Sequence, residues 1–194
     1  MLSYILHLDT ALFLFINNNF HFSFLNDNMR AVTFLGNGWV VYWLVLVCAY
    51  IYNRSKFKQS FFLLFLTQII PGIPDIIIKR LVNRPRPIVA LHNLIKDGAV
   101  HVNLLGRHLT KYSFPSGHTT TAFSLAVALS YLFPKHYKLF YILAFVVAFS
   151  RVYDGEHYPL DVIAGGILGY LFAKITLIVY KKIKKINGYN FEKL

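Results

Sequence analysis

Residues 31–52 form an apolar run of 22 residues without a single charged side chain. A helix of that length can cross the hydrocarbon core of a bilayer, which is about 30 Å thick. Similar runs occupy residues 59–78 and 159–180, and shorter ones occupy residues 119–133 and 139–150. The pattern predicts an all-α fold, a polytopic transmembrane helical bundle with about five or six membrane helices.

The composition agrees with a membrane protein. Hydrophobic residues make up 56% of the chain and charged residues only 14%, whereas a soluble domain is about a quarter charged. A net charge of +12 could suggest a nucleic-acid partner. We expect none, because the basic residues cluster at the ends of apolar runs and no soluble fold remains to present a basic face. The single cysteine, Cys48, excludes an internal disulfide.

We expect one membrane-embedded domain over residues 1–194. Residues 1–20 carry apolar side chains near helical spacing, without the basic start and cleavage site of a signal peptide. They are predicted to form an amphipathic helix at the membrane interface or, alternatively, a first and imperfect span. Residues 79–117 are a long polar connection on the outer side, and residues 181–194 form a basic tail.

Three smaller features refine this outline. Residues 88–95, within the outer connection, are apolar enough to lie on the bilayer surface. Pro71 and Pro74 should kink the second span. The last apolar run contains three glycines spaced for close helix contact, namely Gly165, Gly166 and Gly169.

The basic residues predict the orientation. Those in residues 53–58, 134–138 and 181–185 fall on one side, which should be cytoplasmic together with the C-terminus. The outer side is also basic, and we discount its residues because several look functional. They are Lys79, Arg80, Arg84, Arg86, Lys96, Arg107, Lys111 and Arg151.

Three polar blocks fall at the outer end of the predicted spans, in residues 79–87, 115–118 and 151–161. Charged groups and histidines near membrane depth are costly and usually mark function. Their convergence on one face therefore predicts a site at the outer, periplasmic or extracellular, face of a multi-pass cell-membrane protein.

The charges in these blocks suit a phosphate group. Phosphoryl transfer needs positive charge around the equatorial oxygens, which Lys79, Arg86 and Arg151 supply. Ser116 and the amide of Gly117 can add donors at a helix start, where unpaired N–H groups point outward.

The third block also contains a histidine and an aspartate. If a helix begins near Pro159, His157 and Asp161 lie one turn apart and can touch. A carboxylate bonded to one imidazole nitrogen fixes the tautomer and leaves the other nitrogen to act as a nucleophile or base.

Taken together, the blocks match a three-part signature. Lys79 is followed after six residues by Arg86-Pro87, residues 115–118 read Pro-Ser-Gly-His, and Ser150-Arg151 precedes His157 and Asp161. This pattern resembles the type 2 phosphatidic acid phosphatase superfamily of integral membrane phosphatases, which is related by motif to vanadium haloperoxidases. The resemblance covers roughly residues 31–180.

The resemblance implies a mechanism. His157 would attack phosphorus and form a phosphohistidine, while Asp161 orients it. His118 would protonate the leaving oxygen and then activate water. This scheme requires no metal or other cofactor. A rival metal site on His118, His157, Asp161 and Glu156 is disfavoured, because three nearby cations would repel a metal ion.

The substrate should be a lipid phosphate, because the site opens toward the lipid and no large soluble domain remains. Resemblance to small bacterial members suggests undecaprenyl diphosphate, phosphatidylglycerol phosphate or lipid A 1-phosphate, and the sequence does not choose among them. The alternatives are a lipid phosphotransferase and a catalytically silent lipid-binding or channel protein.

We expect Asp75 to pair with Lys79 in a structural role. Asp154 and Glu156 beside His157 could tune its pKa or contact a head group, although a structural role is favoured.

Overall fold

The computed structural model describes residues 1–20, 22–52, 54–106 and 108–186, and over these residues the fold is all-α, as predicted. Arg107 and residues 187–194 of the predicted tail lie outside the described residues, and so does Asn53 of the predicted cytoplasmic loop. The helices are α1 (Leu2–Asn19), α2 (Ser23–Leu35), α3 (Gly38–Tyr52), α4 (Arg54–Val82), α5 (Pro87–Ala90), α6 (His92–Lys96), α7 (Gly117–Leu132), α8 (Tyr137–Tyr153) and α9 (Pro159–Ile186).

Helix α7 is the centre of the bundle and packs against α4, α8 and α9. Its contact with α9 is close because α9 carries glycines there. A Cβ on Gly165 would lie 2.5 Å from the carbonyl oxygen of Ser116, and one on Gly169 would lie 2.2 Å from that of Thr120. The predicted role of these glycines in helix contact is confirmed.

By length and composition, two described segments can cross a membrane, Ser60–Lys96 and Pro159–Lys184. A third crossing results if the bent pair formed by α2 and α3 counts as one span. Helices α7 and α8 have 16 and 17 residues, which is short for a crossing, as their short apolar runs indicated.

The predicted span over residues 31–52 is not one helix. It is divided between α2 and α3, which meet at an angle of 66°. The reason lies in two glycines at the break. A Cβ on Gly36 would come within 2.7 Å of Val147, and one on Gly38 within 2.6 Å of Thr121. The bend thus brings the chain against α7 and α8.

Three further features differ from the prediction, namely the position of residues 88–95 and the ends of two helices. Residues 88–95 contribute to the protein core, since Leu91 is buried and Ile88 and Ile95 pack against the cluster around Phe13. Helix α4 continues through both prolines to Val82, so the outer connection begins later. Helix α9 continues to Ile186, so the first part of the predicted tail is helical.

Helix α1 is anchored by polar side chains rather than by apolar contacts alone. Asn17 is fully buried. Its amide donates to the carbonyl of Tyr153 at 2.8 Å and to that of Asn103 at 2.9 Å, and its oxygen accepts from the Asn103 amide at 2.7 Å. Asp9 is also buried. The helix is therefore fixed against the chain segments that form the site.

Candidate active site

The structure brings the predicted site residues together from four helices and two loops. Lys79 lies in the last turn of α4, Arg151 in the last turn of α8 and Asp161 in the first turn of α9. Arg86 precedes α5, Ser116 occupies the N-cap position of α7, Gly117 and His118 begin α7, and His157 lies between α8 and α9. Ser116 joins two of the blocks, since its amide donates to the Asp161 carbonyl at 2.9 Å.

The ammonium group of Lys79 lies over the start of α7. It donates to Asp75 at 2.5 Å and to the carbonyl oxygen of Pro115 at 2.7 Å. The predicted pair of Asp75 and Lys79 is thus confirmed. Asp75 also accepts from Thr120 at 2.9 Å. A Cβ on Gly117 would lie 3.1 Å from the Lys79 nitrogen, so glycine allows this close approach.

The two arginines of the site share one carboxylate oxygen. Arg86 Nη1 donates to Glu156 Oε2 at 2.8 Å, and Arg151 Nη2 donates to the same oxygen. Arg151 is 2% exposed and also donates to Thr33 at 2.6 Å and to Asp154 at 3.3 Å. The cationic cluster that the sequence predicts is therefore accompanied by carboxylates that offset its charge.

His157 is held in one tautomer by a backbone carbonyl. Its Nδ1 lies 2.7 Å from the carbonyl oxygen of Ser113. Because a carbonyl oxygen only accepts hydrogen bonds, Nδ1 carries the proton and Nε2 is unprotonated. Nε2 lies 3.4 Å from Arg86 Nη1. The lone pair of Nε2 therefore faces a guanidinium N–H of Arg86, which the sequence predicts as a donor to a phosphoryl oxygen.

The predicted direct hydrogen bond between Asp161 and His157 is not made. The distance from Asp161 Oδ2 to His157 Nδ1 is 3.7 Å, which is too long for a hydrogen bond but short enough for attraction to a protonated imidazole. Oδ2 instead accepts from the Ser113 hydroxyl and from the Tyr158 amide, the latter at 2.9 Å. The reason is that Ser113 lies between the two side chains. Its hydroxyl donates to Asp161, and its carbonyl oxygen accepts from His157.

Sequence reasoning missed Arg84 and Asp9. Arg84 donates to Asp161 at 2.6 Å and to Asp9 at 2.7 Å, and its guanidinium carbon lies 4.0 Å from the ring centroid of Tyr158. Asp9 also accepts from the Leu160 amide at 2.9 Å. A charged residue in the apolar helix α1 was the available signal, because such residues usually have a partner.

Burial and neighbouring cations keep both imidazoles neutral. Burial lowers the pKa of His157 to about 4, Arg86 and Arg151 act in the same direction, and Asp161 opposes them. Burial likewise lowers the pKa of His118 to about 3, and Arg151, His157, Arg86 and Lys79 add to that effect. The four side chains that lower the pKa of His118 are all residues that the sequence predicts for the same site.

No group of three or more histidine, cysteine or acidic side chains is arranged to hold a metal ion within the described ranges. The site holds two arginines and a lysine, which are paired with Glu156 and Asp75, beside two neutral imidazoles. Three cationic side chains close together repel a metal ion and attract an anion, and Glu156 and Asp75 are already bonded to these cations.

A helical bundle with membrane-spanning segments and a largely buried cluster of arginine, lysine, histidine and carboxylate side chains is typical of an integral membrane protein with a functional site. The chain belongs to the PAP2 superfamily, whose family model matches residues 59–185. The resemblance drawn from the three motifs is thereby confirmed.

Named relatives act on membrane lipids. The chain is 35% identical to a lipid A 1-phosphatase from Rhizobium etli over 61% of its own length and only 50% of the relative's. It is 28% identical to the undecaprenyl-diphosphatase BcrC of Bacillus subtilis, covering 71% of this chain and 68% of that one. The crystal structure of Aquifex aeolicus LpxE superimposes with a TM-score of 0.71 and 32% identity, covering 87% of this chain and 93% of that one.

Proposed function

We propose that the protein is a metal-independent membrane lipid phosphatase that hydrolyses a phosphate monoester or diphosphate through a phosphohistidine on His157. One observation carries the proposal above the others. His157 Nδ1 is bonded to the Ser113 carbonyl at 2.7 Å, which leaves Nε2 as an unprotonated nucleophile beside Arg86. A nucleophile held next to a phosphate-binding guanidinium is what in-line phosphoryl transfer requires.

The phosphate group would be bound by Arg86, Arg151 and Lys79. Arginine offers a planar fork of donors that matches phosphate oxygens, and the ammonium of Lys79 adds charge from the opposite helix. Ser116 and the amide of Gly117 would complete the site at the start of α7, where N–H groups have no partner within the helix. These donors stabilise the charge that spreads over the equatorial oxygens in the transition state.

The first chemical step forms a bond from His157 Nε2 to phosphorus and breaks the bond from phosphorus to the lipid oxygen. His118 gives its proton to that oxygen, and Asp161 stabilises the charge that His157 gains. A bound phosphate dianion offsets the cations that lower the pKa of His118, so the imidazole can take up the proton it needs. In the second step water attacks phosphorus, His118 accepts a proton from the water, and His157 is released.

The substrate would be a lipid, because the site residues lie at the ends of apolar helices. Undecaprenyl diphosphate, phosphatidylglycerol phosphate and lipid A 1-phosphate are the candidates, and each of the three corresponds to the name of a relative. We place the site at the outer face of the cell membrane and the C-terminus in the cytoplasm. Both placements follow from the basic residues at the helix ends. We treat residues 1–194 as one domain.

The test is phosphate release from a panel of these lipids in detergent, with and without an alcohol acceptor. Hydrolysis predicts inorganic phosphate in both arms. A phosphorylated alcohol in place of phosphate would favour a phosphotransferase, and no turnover of any lipid would favour a catalytically silent protein. EDTA should leave the rate nearly unchanged, whereas a loss that zinc restores would contradict the metal-independent mechanism.

A further inference from the structure

Glu156 lies in the position that a phosphoryl oxygen would need. Its Oε2 accepts from Arg86 Nη1 at 2.8 Å and from Arg151 Nη2. The same Arg86 nitrogen lies 3.4 Å from His157 Nε2. In the proposed reaction a phosphoryl oxygen would accept from both guanidinium groups beside His157. Here an oxygen of the Glu156 carboxylate accepts from them instead.

The loop before α7 packs closely against this carboxylate. A Cβ on Gly106 would lie 1.9 Å from Glu156 Oε1, so the carboxylate fits only because residue 106 is glycine. Gly155, next to Glu156, has a φ of +76°, and a Cβ there would meet the Asn103 carbonyl at 2.5 Å. The backbone on both sides thus holds Glu156 against the arginines.

We propose that Glu156 is a specificity-determining residue that competes with phosphate for Arg86 and Arg151. A phosphate group can bind only when the carboxylate swings away, because two anions cannot share these donors. This inference rests on the proposed function in one respect, namely that the two arginines bind the phosphate group.

The competition discriminates between free and lipid-borne phosphate. Both must displace the carboxylate. A lipid phosphate is also held in the membrane by its apolar chains, and these contacts add to the binding free energy of its phosphate group. Free phosphate has no such anchor and binds weakly. After hydrolysis the carboxylate returns to the arginines and helps to expel inorganic phosphate, which limits inhibition by the product.

The test is calorimetric titration of the full-length protein in detergent with inorganic phosphate. Glu156→Gln removes the competing charge and keeps a hydrogen-bonding side chain of the same size. We expect phosphate to bind at least about tenfold more tightly to this variant than to the parent protein. Unchanged or weaker binding would overturn the proposal.

Asp154→Asn is the matched control. Asp154 is a buried carboxylate that also accepts from Arg151, at 3.3 Å, whereas Arg86 donates to Glu156 and to the Lys111 carbonyl and lies 3.4 Å from His157 Nε2. We expect this variant to change phosphate affinity by less than about threefold. Equal tightening in both variants would mean that net charge alone sets the affinity, and would contradict displacement.

Gly106→Ala tests the same idea without changing any charge, should Glu156→Gln fail to fold. The added methyl group pushes the flexible end of Glu156 away from the arginines, so phosphate should again bind more tightly. Looser or equal binding in a folded Gly106→Ala protein would overturn the proposal. Calorimetry needs no turnover, so binding and catalysis are tested separately. If the variants bind phosphate more tightly but the protein cleaves no lipid phosphate, the competition is supported and the phosphatase function is rejected.

Discussion

Arg84 Nη1 donates a hydrogen bond of 2.6 Å to Asp161 Oδ1, while the other terminal nitrogen of Arg84 donates to Asp9 at 2.7 Å. Asp161 is fully buried and Asp9 is 4% exposed. The two carboxylates are thereby fixed by one guanidinium in a dry environment, where loss of one partner is costly. Through this chain of contacts α1 positions Asp161, although α1 provides none of the proposed catalytic residues.

Asp9→Asn should therefore impair turnover more than substrate binding. The amide can still accept from the Leu160 amide but no longer carries the charge that balances Arg84, so Asp161 shifts relative to His157. We expect kcat to fall by between about tenfold and a hundredfold with little change in KM, measured on the best lipid phosphate. Asp27→Asn is the control, because Asp27 is 94% exposed and pairs only loosely with Arg30 at 3.7 Å. Equal kinetics for Asp9→Asn and the parent protein would refute the positioning role.

The effect of His118→Ala should depend on the leaving group. A lipid alkoxide needs a proton from an acid, whereas a departing lipid phosphate is a stable anion. We expect loss of about 10²- to 10⁴-fold on monophosphate substrates and a much smaller loss on diphosphates, measured as kcat/KM on matched lipids. Equal losses on both classes would argue against His118 as the acid.

His157 should remain neutral, with its proton on Nδ1, well below the ordinary range of histidine. Burial lowers the pKa of His157 to about 4, so the neutral form predominates at any pH above that value and the nucleophile is lost only below it. Nitrogen-15 spectra of histidine-labelled protein, assigned with His157→Gln, should show a protonated Nδ1 and an unprotonated Nε2 from neutral pH down to about pH 5. Titration near pH 6.5, or the opposite tautomer, would contradict the bond to Ser113.

Gly169→Ala should destabilise the bundle. The new Cβ would lie 2.2 Å from the Thr120 carbonyl oxygen, and this clash with backbone can be relieved only if α7 and α9 separate. We expect the free energy of unfolding to fall by about 1–3 kcal/mol. Thermal unfolding in detergent measures this change. Gly72→Ala is the matched control, because a Cβ on Gly72 meets nothing within 4 Å. Similar Tm values for the two variants would mean that the helices do not pack as described.

Much of this fold could be predicted from the sequence, and particular elements show why. The apolar runs mark α4, α7, α8 and α9 within a few residues, because a membrane helix must be both long and apolar. The break between α2 and α3 could not be predicted in the same way. It depends on Gly36 and Gly38 meeting side chains of α7 and α8, which lie far away in the sequence.

The candidate site divides along similar lines. The three-part signature predicts Lys79, Arg86, His118, Arg151, His157 and Asp161 as site residues, and the apolar runs place all of them near the ends of predicted spans. The partners of these residues could not be deduced. The hydrogen bond from His157 to the Ser113 carbonyl and the pairing of Asp9 with Arg84 join positions 44 and 75 residues apart, so they depend on tertiary packing. The sequence places Asp154 and Glu156 next to His157, but their contacts with Arg151 and Arg86 depend on tertiary packing.

The central claim is that His157 becomes phosphorylated during turnover. The most direct measurement is rapid quenching of the His118→Ala variant with a phosphorus-32-labelled lipid diphosphate, followed by mapping of the labelled peptide. In this variant the leaving group departs without acid help but water is poorly activated, so the intermediate should accumulate. We predict an acid-labile, alkali-stable label on His157 that is absent when His157 is also replaced by alanine. A protein that turns over the lipid with no label on His157, or a label that survives this replacement, would contradict the account.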